Sequence, residues 1–200
     1  MQFDFPNVMK IKFFLFFLLG FACEFILAQD VPRVAADCKV IRQEIINGKK
    51  EVELQSLPFF TFTQPAHKTY FREKDLMETD ATLIKSGKDY FLKMDIRMLS
   101  KDAAKNYGFI SKGSPLRINY ISGKTIVLQA ENEANVAIEN YTGHALYSVR
   151  YKIPSDELRT MRRIPLNTVG IMWSSGFELY NIYNVDVLIQ LFDCIKQTNN

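Results

Sequence analysis

The sequence predicts an α+β protein, mainly antiparallel β, built from hairpins into a sheet or sandwich, with a short helix near 155–163 and a C-terminal helix packed on the sheet. Three observations predict it. Apolar and aromatic segments of strand length repeatedly flank turns rich in glycine, asparagine and serine. Residues 91–98 alternate Phe91, Lys93, Asp95, Arg97 with Leu92, Met94, Ile96, Met98, the period of a strand with one wet and one buried face. Near the C-terminus the spacing changes: Val185, Leu188, Ile189, Phe192 and Ile195 recur at helical intervals.

Taken in order, Lys39 to Ile46 and Lys49 to Leu54 flank Asn47-Gly48, whose residues tolerate positive φ, and read as a first hairpin. Leu57 to Thr63 is apolar but bracketed by Pro58 and Pro65, which fits an edge strand or an irregular segment. Thr79 to Lys85 and Tyr90 to Leu99 form the arms around Ser86-Gly87-Lys88-Asp89, and Ser100 to Tyr107 adds a helical turn. Leu116 to Ile121 and Thr125 to Gln129 meet across Ser122-Gly123-Lys124. Residues 131–144 are polar and read as a long loop, the kind that carries function more often than a short one. Ala145 to Ile153 is a strand. Pro154-Ser155-Asp156-Glu157 opens a helix with acidic side chains at its N-terminus, and Pro165 ends it. Thr168 to Trp173 and Phe177 to Tyr183 form a last hairpin around Ser174-Ser175-Gly176. Pro115-Leu116 followed by Ser122-Gly123 is echoed by Pro165-Leu166 followed by Ser175-Gly176, which fits either duplication or convergence on proline-led hairpins.

The N-terminus carries a different signal. Lys10 and Lys12 precede the apolar run Phe13 to Ala22, and Leu27-Ala28-Gln29 follows: a charged start, a run too short to span a bilayer and a small residue at the cut. Residues 1–28 are therefore expected to be a removed signal peptide and 29–200 a single β-rich domain, periplasmic or extracellular, without a membrane span. The alternative is a lipoprotein anchored through Cys23, after Leu19-Gly20-Phe21-Ala22. Cleavage leaves Cys38 and Cys194, which can pair in an oxidising compartment; the bridge would close nearly the whole domain, worth roughly 4 to 5 kcal/mol by chain entropy. Two buried thiols without a bridge is the other reading.

A formal net charge of +3, spread among acidic neighbours, carries no nucleic-acid signature. The one compact basic cluster, Arg159, Arg162 and Arg163, fits a solvated helix face. Only His67 and His144 are present, at no metal-ligand spacing, and the carboxylates and amides of 131–135 match no calcium loop, so no metal and no cofactor is expected. Trp173-Ser174-Ser175-Gly176 is no nucleophile elbow. Two candidate sites remain. Trp173, Tyr180 and Tyr183 form either a sheet-face platform for a sugar or protein partner, or core beneath the terminal helix. His144 is either an exposed loop residue or a base beside a carboxylate of the 131–144 loop.

The leader ending Leu-Ala-Gln, the early Asp37-Cys38, the late hairpin and the terminal helix bearing Cys194 resemble uncharacterised exported β-rich proteins of Gram-negative bacteria. The resemblance implies an envelope or extracellular location and no catalytic residues. The expected function is a non-enzymatic binding or interaction module of the cell envelope, its partner an envelope protein or glycan; the alternative is a hydrolase assembled around the 131–144 loop.

Overall fold

A computed structural model of the chain describes residues 38–69, 75–100 and 102–198, so the expected leader, its cleavage point and Cys23 lie outside the described residues. Among the described residues, eleven antiparallel strands share one open sheet. The first hairpin joins β1 (Val40–Ile46) to β2 (Lys49–Leu54) through Asn47 and Gly48, both at positive φ as a two-residue turn of this hand requires. Next come β3 (Leu57–Phe62), β4 (Met77–Ser86) and β5 (Asp89–Met98), and the β4–β5 ladder runs unbroken from Ser86 opposite Asp89 to Met77 opposite Met98. β3 pairs only with the N-terminal half of β4, leaving the other half to β2, so the Pro58 strand lies at an edge.

A short helix α1 (Ala103–Asn106) leads to the hairpin of β6 (Pro115–Tyr120) and β7 (Thr125–Ala130). The polar stretch is mostly loop, carrying a two-residue strand β8 (Ala137–Ile138) against β9 (Ala145–Ile153). After α2 (Leu158–Met161), β10 (Leu166–Trp173) and β11 (Gly176–Asn181) form the last hairpin, and α3 (Val187–Gln197) closes the fold. The helix expected over 155–163 is a single turn, since Pro154 to Glu157 form a turn closed by Glu157 N–H on the Pro154 carbonyl, and so short a helix depends on packing to exist. Arg162 does not face solvent as the charge cluster suggested: its guanidinium lies over the rings of Phe192 and Tyr90, 5.0 and 5.4 Å from their centroids.

The strand order β1-β2-β4-β5-β9-β7-β6-β10-β11 divides the sheet into two wings joined only where Gln129 and Ala130 meet Lys152 and Tyr151. Folding about this narrow joint buries Tyr147, Val149 and Tyr151 of β9 against Leu116, Ile118, Trp173 and their neighbours. At the opposite side β3 approaches β11. Helix α3 packs on the inner face of β2, β3 and β4 through Leu188, Leu191, Phe192 and Ile195, and Cys194 bonds Cys38 just before β1. The bond ties edge strand to terminal helix across 156 residues of chain. The two proline-led hairpins are neighbours, with Leu116 of β6 opposite Ile171 of β10.

Candidate functional site

The outer face of β2, β4, β5 and β9 carries the polar half of the alternating pattern. Register places Glu53, Ile84 and Phe91 in one row and Asp80, Asp95 and Ser148 in another. Two parts of this face differ in charge balance. Toward β1, Glu51 and Glu53 are only 5 and 6 % exposed, yet both are neutralised. Arg42 donates from Nε to Glu53 (2.9 Å) and from Nη2 to Glu51 (3.1 Å); Lys93 Nζ reaches Glu53 at 3.3 Å and Arg150 Nη2 reaches Glu51 at 3.5 Å. A bulge between Val40 and Arg42 interrupts the register where Arg42 begins its pairing. Arg150 also lies 3.6 Å above the Phe91 ring, which covers an apolar side chain otherwise stranded on the wet face.

Toward β9 the balance fails. The loop after β7 is stitched to β9 by Asn132, whose Nδ2 donates to the Ser148 carbonyl (3.1 Å) and whose Oδ1 accepts from Arg150 N–H (2.8 Å). This side chain stands in for a strand, and the loop rises as a wall over the sheet. Between wall and sheet lies a cleft of about 460 Å³, with Glu78 and Asp80 of β4, Asp95 and Arg97 of β5, Ser148 of β9 and Glu133 of the loop among its lining. Four carboxylates thus face one guanidinium. Arg97 is paired with Glu78, and Asp95 accepts from Ser148 Oγ (2.6 Å) and lies 3.1 Å from Lys93 Nζ. Glu133 accepts from Asn135. Asp80 forms no hydrogen bond or ion pair among the described residues, and it stands directly opposite Asp95. Its carboxyl is raised above the usual range by burial first; the Arg97 guanidinium opposes this, and Asp95 and Glu78 add smaller upward pushes.

The aromatic candidates divide. Trp173 and Tyr180 are buried, so they form no open platform; they belong to the core, Trp173 against Tyr107 after α1 and Tyr147 of β9, and Tyr180 against Phe60 of β3. Tyr183 is 58 % exposed. It lies within electrostatic reach of Asp80, Glu78 and Asp75, which, after burial, raise its phenol. His144 sits on the turn between β8 and β9, its Nδ1 3.8 Å from Glu139 Oε2, and the Thr142 hydroxyl donates to the same carboxylate. Neither His144 nor Glu139 lines the cleft. Cys38 and Cys194 are bonded.

Sequence reasoning missed Asp80. The signal was present, because counting back from the Ser86–Asp89 turn puts Asp80 opposite Asp95. Among the described residues no three His, Cys, Asp or Glu side chains converge as metal ligands, and no helix is long and apolar enough to cross a membrane. The fold and cleft define an α+β protein with a charged outer sheet face. No family model matches the chain, and no curated protein or solved structure matches it.

Proposed function

We propose that the protein is an exported, non-enzymatic binding module of the cell envelope, periplasmic or extracellular, whose charged cleft receives a cationic group of a partner. The carrying observation is Asp80: a half-buried carboxylate that forms no ion pair among the described residues, with Arg97 its one cationic influence, facing a second carboxylate across the ladder. Like charges directly opposite one another weaken a sheet, and a bound ammonium or guanidinium removes that cost. The bridge between Cys38 and Cys194 is compatible with an oxidising compartment. A tetralysine peptide titrated at low salt should bind saturably, and Asp80→Asn with Asp95→Asn should weaken it at least tenfold. Equal heats for wild type and the double variant would sink the reading. Intact mass of the mature protein, beginning near Gln29, tests export; a lipid-bearing start at Cys23 would make it a tethered lipoprotein.

The hydrolase reading rests on His144 beside Glu139. Turnover of esters, glycosides or peptides that disappears in His144→Ala would support it, and turnover unaffected by that change would remove it.

A further inference from the structure

A second cleft, of about 430 Å³, is lined by Gln64, Leu76, Lys105, Asn106, Tyr107 and Glu178 and shares no residue with the first. Its carboxylate is unusual in position. Along β11 the side chains of Phe177 and Leu179 are exposed, while Glu178 alternates with them on the face that carries the buried Tyr180. Glu178 is held there by a chain of donors: Trp173 Nε1–H donates to Tyr180 Oη at 2.9 Å, and the Tyr180 hydroxyl donates to Glu178 Oε2 at 2.7 Å. The chain fixes one oxygen and leaves Oε1 without a hydrogen bond among the described residues.

Tyr107 supplies the second observation. It is 5 % exposed, its ring packs against Trp173 with centroids 5.3 Å apart, and its hydroxyl has no hydrogen-bond partner among the described residues. A buried hydroxyl left unpaired costs free energy and calls for a partner beyond the described residues. Burial, with Glu178 nearby, pushes this phenol up to about 12, so it stays neutral and its oxygen can accept from an ammonium. On the same cleft Lys105 is exposed and forms no ion pair among the described residues, Glu178 included. A cation and an anion share one cleft without meeting, beside the amides of Asn106 and Gln64.

We propose that this cleft binds a small zwitterion of the amino-acid or short-peptide class, its ammonium on Glu178 with Tyr107, its carboxylate on Lys105. An inward carboxylate at a sheet edge can also serve only to discourage edge-to-edge association. That role needs neither the Tyr107 hydroxyl nor Lys105, so the two readings separate.

Trp173 is the only tryptophan and lies two hydrogen bonds from Glu178, so its fluorescence reports the site. Titration with a panel of Gly-X dipeptides should give a saturable change for at least one. N-acetylation or C-terminal amidation of that peptide should each weaken it at least tenfold, as should Glu178→Gln and, on an exposed residue that cannot unfold the protein, Lys105→Ala. No saturable change at millimolar peptide, or equal binding of the blocked peptides, or unchanged binding by Lys105→Ala, would overturn the proposal.

Discussion

Phe60 and Tyr180 stack with ring centroids 4.9 Å apart and planes 17° from parallel, although β3 and β11 share no hydrogen bond. Phe62 meets the same tyrosine edge-on at 5.1 Å, and Asn184 Nδ2 donates to the Pro58 carbonyl at 3.1 Å. The seam between the two wings is therefore closed by side chains alone, with Pro58 on the strand that cannot offer a full set of donors.

Because the seam has no ladder to fall back on, its aromatic contacts should matter to the whole fold. Phe60→Ala should cost about 3 to 5 kcal/mol, the usual range for emptying a buried phenylalanine site. Urea unfolding followed by Trp173 fluorescence and by far-ultraviolet circular dichroism tests this. A loss under about 1 kcal/mol would show that the wings are held by the β7–β9 joint and the terminal helix instead.

The Cys38–Cys194 bond acts on the unfolded chain more than on the seam. With the cysteines 156 positions apart in sequence, the chain-entropy account gives about 5 kcal/mol as an upper figure. Reduction, or Cys38→Ala with Cys194→Ala, should lower the urea midpoint and raise the surface exposed on unfolding, seen as a steeper denaturant slope. Identical midpoints with and without reductant would mean the bond contributes nothing in solution.

Gly108 tests the packing of α1 against the last hairpin. Its φ is +75°, and a Cβ there would lie 1.9 Å from Ser174 Oγ, which accepts from Phe109 N–H at 3.0 Å. Gly108→Ala should cost more than the roughly 1 to 3 kcal/mol of left-handed strain alone. Gly113→Ala, at φ +82° with open space around it, is the control, and the difference in melting midpoint measures the clash. Equal losses would show that Ser174 yields freely.

The hairpins were legible because their information is local. Asn47-Gly48 dictates a turn, and the alternation from Phe91 to Met98 dictates which side chains face the core, whatever the rest of the chain does. The edge character of the Pro58 strand followed from proline chemistry in the same way. What stayed hidden was non-local. Nothing near Tyr151 says that β9 will pair with β5 along its length and with β7 at only two residues, yet that joint decides that the wings fold together and that Trp173 and Tyr180 are covered. The 131–144 loop drew attention as polar and long; that Asn132 would bind β9 and turn Glu133 into a cleft wall required the tertiary pairing.

The proposed cation site makes opposite demands on stability and binding, and Asp80 exposes the conflict. Its folded carboxyl is raised above 3.8, with Asp95, Glu78, Arg97 and Tyr183 as its charged and titratable neighbours. Between the unfolded and folded values the native state holds more protons than the unfolded one, so stability falls as pH rises through that window; below 3.8 both states are protonated and the penalty vanishes. Asp80→Asn cannot ionise. The variant should therefore be more stable than wild type at pH 7, since the cost of burying the charge, with the repulsion from Asp95 and Glu78, outweighs the lost attraction of Arg97, and equal to it near pH 3. The same substitution should lose tetralysine binding, so the more stable protein is the poorer binder, as expected where a functional site stores unfavourable charge. Paired urea titrations at the two pH values decide the first half and calorimetry the second. A variant less stable than wild type at pH 7 would show that the Asp80 carboxylate supports the sheet, and the argument for a waiting cation would go with it.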